Sequence, residues 1–342
     1  MEADDVERYQ RDLLKTAEVL KSNWRIEEAL RFTELAYHTK AKQDMPVPQI
    51  AEQMKIAYKI SELSRRTGNE TRYRAAYEDF IIPTVERLQE CIRSQGKSIP
   101  IYPVIQVVKE LVALENETYA PIRTSSSLCR RINWLRAALG RYGDELKATS
   151  PSEFNTAQRQ LLLAAIRQGL PSQPFTEHVL TEKGRLSDPL HYYGVLNLKA
   201  MELFDKGEFP KVRNMLEREY TKARGKIFVK SDGSLIANEG ERSTMQGMAY
   251  YLGIALWGSR KSGRIDNSSL QQLLNDADRI RALGNSSARC IVTPAMREAA
   301  RGWTPALNRL TEVAALPLSA DLKSLIETSW DSLQGILPDV EN

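Results

Sequence analysis

Residues 190–223 read LHYYGVLNLKAMELFDKGEFPKVRNMLEREYTKA, and this stretch decides the fold class. Leu196, Ala200 and Leu203 recur at spacings of four and three, so they share one face of a helix, which Phe204 widens. Gly207 ends that helix, because glycine enters the left-handed conformation of a C-terminal cap without steric penalty. Phe209, Val212, Leu216 and Tyr220 give a second apolar face with the same period. Upstream, Asp188-Pro189 supplies an N-cap followed by proline at the first helical position. The stretch is therefore a helical hairpin. Neither helix can bury its stripe alone, so each needs neighbours.

Working outward, the same grammar recurs. Leu13, Ala17 and Leu20 predict a first helix over 4–21, broken at Asn23-Trp24, and Ile26, Ala29, Leu30, Thr33 and Ala36 a second. Pro46 and Pro48 mark a connector. Helices are expected over 50–66 and 71–93, turning at Thr67-Gly68-Asn69, with Pro83 kinking or dividing the latter. Further helices are expected over 104–117 and 128–140. The polar run 142–150, which contains Gly143, is the expected domain boundary. Ser150-Pro151-Ser152-Glu153 reads as a capping box opening the next helix. Residues 169–188 read as a long loop with room for one short helix. Ile227-Phe228-Val229 and Leu235-Ile236 flank Ser231-Asp232-Gly233, which predicts one small β-hairpin insertion near 227–237. Thr293-Pro294, Thr304-Pro305 and Ser319 start short helices from about 291, as a closing cap would.

The central hairpin resembles a tetratricopeptide unit: small Ala200, large Leu203, Gly207 at the turn and Phe209 as the aromatic after it. Val212 and Glu219 depart from the small residues that pattern prefers, and no proline closes the unit. Ala17, Leu20, Ile26, Ala29 and Ala36 form a second such unit, with Trp24 at the turn. Met248, Leu252, Gly253, Ala255 and Leu256, followed by Leu270, Leu273, Leu274 and Ala277, form a third. The resemblance implies an all-α fold of stacked antiparallel hairpins, a tetratricopeptide-like solenoid over about half the chain. The expected organisation is an N-terminal helical domain, 1–145, and a repeat-like domain, 150–342.

The composition is that of an ordinary globular chain: 342 residues, 42% hydrophobic and 27% charged, with a net charge of +4 and a pI near 8.8. No apolar run approaches the roughly 18 residues of a membrane helix. The acidic, polar start, MEADDVERYQRD, does not read as a secretory signal, so a cytoplasmic location is expected. Cys91, Cys129 and Cys290 are far apart and include no CxxC pair, so neither a disulfide framework nor a zinc site is indicated. Phosphate-cradling glycine motifs, HExxH and GxSxG are absent, and no cofactor or catalytic residue is expected. Glu177, His178 and Glu182 read as surface groups rather than metal ligands.

Two surfaces carry the functional expectation. On the helix through Leu128, Ile132, Leu135 and Leu139, the residues Arg130, Trp134 and Arg141 fall within about 40° of one another on the opposite side, at roughly 100° per residue, and Arg123 and Arg131 lie nearby. A tryptophan among arginines can hold a peptide side chain or stack on a base; alternatively, Trp134 packs on the next helix. The second surface is aromatic. Tyr192 with Tyr193, and Tyr250 with Tyr251, lie in first helices of hairpins, which line the concave groove in tetratricopeptide stacks; Tyr192 and Tyr251 are the candidates there. The expected function is a non-catalytic scaffold binding a peptide or protein. The alternatives are a helical protein binding single-stranded RNA and the ligand-sensing part of a regulator.

Overall fold

A computed structural model describes residues 3–23, 25–40, 45–117, 126–167, 172, 176–227, 239–262, 267–282, 294–304, 319–322, 324–325, 333 and 336–340. Among these the chain is helical, with no strand. No described helix is long and apolar enough to cross a membrane. The expected β-hairpin at 227–237 falls outside the described residues, except for Ile227, which ends a helix. The chain divides into two compact units, 1–168 together with 314–342, and 169–313.

The first unit contains α1 (Ala3–Ser22), α2 (Ile26–Lys40), α3 (Val47–Arg66), α4 (Glu70–Ala76), a π-helical turn (Tyr77–Ile81), α5 (Ile82–Gln95), α6 (Ile101–Glu117), α7 (Ser126–Thr149) and α8 (Pro151–Arg167). α1 packs on α2 and α2 on α3. α3 also carries α4, the π turn, α5 and α6, while α6, α7 and α8 pack on one another. Enclosed by so many neighbours, α3 buries Ile50, Met54, Ala57 and Ile60, and with them the polar Gln53, Ser61 and Arg65. A helix covered on several sides loses the narrow stripe that a surface helix keeps.

Local chemistry explains the breaks. Gly68 turns the chain with φ +71°, and the Asn69 side chain then caps α4 by accepting from the Arg72 N–H at 3.3 Å. Pro83 has no N–H for the carbonyl four residues back. The helix widens immediately before it, and the Ile82 N–H reaches the Tyr77 carbonyl, five residues away. The expected break over 142–150 is not a break: α7 runs unbroken to Thr149. Gly143 serves packing rather than termination, because a Cβ there would stand 3.0 Å from the Phe154 ring of α8. The boundary between units therefore falls after α8 rather than before it. The capping-box expectation is also overridden. Glu153 turns to Lys109 of α6 and to Lys55 of α3, at 3.0 Å from the latter.

The second unit contains α9 (Glu182–Ser187), α10 (Pro189–Asp205), α11 (Phe209–Ile227), α12 (Glu239–Gly258), α13 (Asn267–Ala282) and α14 (Pro294–Ala299). The expected hairpin is present as α10 and α11. Asp188 accepts from the His191 N–H at 2.9 Å at its start. At the turn Gly207 has φ +70°, and its N–H and that of Glu208 return to Phe204 and Leu203, each at 2.9 Å. α10 packs on α11 and on α12, α11 on α12, α12 on α13, and α14 on both α10 and α12. Val212, Leu216 and Tyr220 are buried as their spacing requires, and Phe204 rather than the half-buried Leu203 completes the α10 face. Gly253 is small because Trp303 lies on it.

Candidate binding surfaces

A surface concavity lies in the first unit, with walls on α2 and on α4 with the π turn. α2 supplies Glu27, Leu30, Arg31 and Glu34, and α4 with the π turn supplies Arg72, Ala76, Asp79 and Phe80. Together with Ser64 of α3 they line a cleft that is open to solvent. Leu30, Ala76 and Phe80 are buried and form an apolar floor. Phe80 is braced edge-on by Tyr37, with ring centres 4.9 Å apart. Tyr37 is held in turn by Thr84, 2.8 Å from its hydroxyl. Arg72 bonds Glu27 across the mouth. Both of these side chains are about half exposed, so the pair contributes little to stability. Partial burial, aided by the Asp79 carboxylate, holds Glu34 above the usual carboxylate range against the opposing pull of His38 and Arg31. Three carboxylates face two guanidinium groups here, which leaves one negative charge in surplus. Glu28 is paired locally with Arg25, as on a solvated helix face, but Glu27 reaches Arg72, 45 residues away in sequence.

The surfaces expected from sequence fare differently. Trp134 is half-buried, and its indole N–H donates to the backbone carbonyl of Pro338 at 2.8 Å, within the same unit. Arg141 is exposed, with its guanidinium 5.4 Å above the Tyr142 ring. The Arg130 side chain and all of Arg123 lie outside the described residues. Tyr192 and Tyr251 are 8% and 3% exposed, as buried as their neighbours Tyr193 and Tyr250. They do not line an open groove. α10 and α12 have helices on several sides, so adjacent tyrosines about 100° apart both find cover.

One polar cluster in the second unit resembles a nucleophile beside a base. Lys199 Nζ lies 2.9 Å from Ser172 Oγ and 2.6 Å from Glu202 Oε2, Ser172 donates to that same carboxylate, and Lys206 binds its other oxygen at 2.5 Å. Burial raises the Glu202 pKa, but the lysines and the hydroxyl outweigh it, so the carboxyl stays below its ordinary range. A Lys199 ammonium paired to that anion has no lone pair with which to accept a proton. With Ser172 1% exposed, the cluster is a clasp that pins residue 172 to α10. Among the described residues, no group of three His, Cys, Asp or Glu side chains could hold a metal ion, and Glu177, His178 and Glu182 lie at the surface. No protein-family model, curated protein or solved structure matches this chain.

Proposed function

We propose that this protein is a non-catalytic helical-repeat scaffold that binds a peptide or protein segment. The observation that carries the reading is the cleft between α2 and the α4–π wall, with its apolar floor and charged rim. Such a groove suits a guest that offers an apolar side chain to Leu30, Ala76 and Phe80 and a basic one to Glu34 and Asp79. π turns are frequent at functional sites, and this one forms part of the wall. The tetratricopeptide-like stacking of hairpins belongs to the same proposal. It is supported by the neighbour-to-neighbour packing of α10 through α13 and of α1 on α2.

The test is a peptide-display selection against the folded chain, followed by affinity measurement on Glu34→Arg/Asp79→Arg. Binders should weaken by at least about tenfold, or 1.4 kcal/mol, on the double variant, with its melting temperature unchanged. Binders indifferent to the substitutions would overturn the reading. Binding of single-stranded RNA with log affinity falling linearly against log salt would replace it with the nucleic-acid alternative.

A further inference from the structure

We propose that Arg260, seated over the Trp257 indole at the end of α12, is a docking site for the carboxylates of an acidic peptide segment. The local chain builds the seat. α12 ends at Gly258 and gives way to a 3-10 turn, Ser259–Ser262. As the helix tightens in this way, side chains three residues apart approach an eclipsed arrangement. Arg260 accordingly lies over Trp257, with its guanidinium carbon 3.9 Å from the ring centre. The ring is fixed in place. Its indole N–H donates to the Arg301 carbonyl at 3.1 Å, and it stacks on Trp303, 13° from parallel with ring centres 6.0 Å apart. Trp303 is itself buried and lies on Gly253. Arg260 is exposed, and among the described residues its guanidinium makes no hydrogen bond and no ion pair, so its fork of N–H groups is available to a guest. Such a fork meets a carboxylate in two parallel bonds, and holding it on a ring removes rotamer freedom that binding would otherwise cost. The indole bond also fixes the Arg301 main chain at the edge of the same ring. The Arg301 side chain is largely exposed, and so is its one partner among the described residues, Glu298 at 3.4 Å; that pair yields to a guest at little cost. Two arginines against one loosely held carboxylate leave a positive surplus, opposite in sign to the α2 cleft, and charge complementarity commits the site to an anionic guest. The half-buried indole beside the fork offers apolar contact, which flanking groups of a peptide can use and a free phosphate cannot.

The inference goes beyond the α2 cleft and does not rest on it. The experiment titrates the full chain into a fluorescein-labelled synthetic peptide, GGDEDEGG, and follows fluorescence anisotropy at low ionic strength, with sodium pyrophosphate titrated separately by calorimetry. Wild type should bind the peptide, and Arg260→Ala should weaken binding at least about tenfold with its melting temperature unchanged. Arg260→Lys keeps the charge without the planar fork and should recover only a small part of that loss. Arg213→Ala removes an exposed arginine of α11, and as the control for charge alone it should change the affinity by less than about twofold. The proposal is overturned if wild type does not bind the peptide, or if Arg260→Ala or Arg260→Lys binds it as tightly as wild type. Binding of pyrophosphate without the peptide would overturn it in favour of a phosphate site.

Discussion

Each unit of this protein buries a polar cluster between helices that are not chain neighbours, and the two are wired differently. In the first unit, Lys109 and Glu110 of α6 meet Glu153 of α8, which also binds Lys55 of α3; Lys109 and Glu110 are 3% and 8% exposed. The cluster is charge against charge, and its carboxyls diverge. Burial pushes Glu110 up despite Lys109. Burial acts on Glu153 too, yet Lys109 and Lys55 prevail and hold it low. In the second unit, Asp276 of α13 accepts from the Tyr220 hydroxyl at 2.6 Å and from Arg224 Nε at 2.7 Å, both on α11. Burial, then the Asp276 bond, drives the Tyr220 pKa far up, so the phenol remains a donor at any physiological pH. The first clasp depends on protonation states, whereas the second depends on donors that do not titrate.

The largest expected effect breaks the first clasp. Lys109→Met leaves the buried Glu110 without its cation and Glu153 with Lys55 alone, and should cost about 3–5 kcal/mol. Thermal melting checks the size, and hydrogen exchange should locate the lost protection in α3, α6 and α8 rather than in α10–α13. Next comes Gly253→Ala in the second unit, because its Cβ would stand 2.4 Å from the Trp303 ring. Trp303 is stacked on Trp257 with ring centres 6.0 Å apart and cannot turn away freely. The overpacking should cost about 1–3 kcal/mol, and Trp303→Phe in the same chain should recover part of it.

Tyr220→Phe should be milder, about 1–2 kcal/mol, because Arg224 keeps hold of Asp276. Its loss should be equal at pH 5 and pH 8, since the hydroxyl is protonated at both. The smallest effect at neutral pH is Glu110→Gln, within about 1 kcal/mol, because the charged form is already disfavoured where it lies. Its signature is in pH dependence. A carboxyl whose folded pKa is raised adds stability as pH falls from neutral towards the unfolded value of 4.5, since the folded chain takes up the proton first. Glu153 and Glu202 are lowered, and their contributions, complete above 4.5, fade as pH falls through their folded pKa values. Glu110→Gln removes the compensating gain, so its melting temperature should fall more steeply than wild type between pH 7 and 4.

What could be read from the sequence was local. The Asp188 cap and the Gly207 turn each depend on residues within one helical turn, so the chain announces them. Pro83 announced a disturbance, but the form it takes, a π turn rather than a break, needed the wall of packed helices behind it. Glu153 had the spacing of a capping box, and the buried Lys109 with the half-buried Lys55 offered it more than a surface N–H could. The cleft was missed because Arg31, Glu34 and Asp79 look like any solvated helix face until α2 and α4 are brought together.

By itself, the sequence determined that this chain is helical, where several helices begin and end, and which residues form their first apolar stripe, because helix periodicity and cap chemistry act over a few residues. Only the tertiary structure decided that Lys109, Glu110, Arg131 and Glu202 lie inside, that all four paired tyrosines are covered, that α8 belongs with the first unit, and that Trp134 holds the Pro338 carbonyl. These depend on which faces are covered a second time, a property of neighbours distant in sequence that no short window contains.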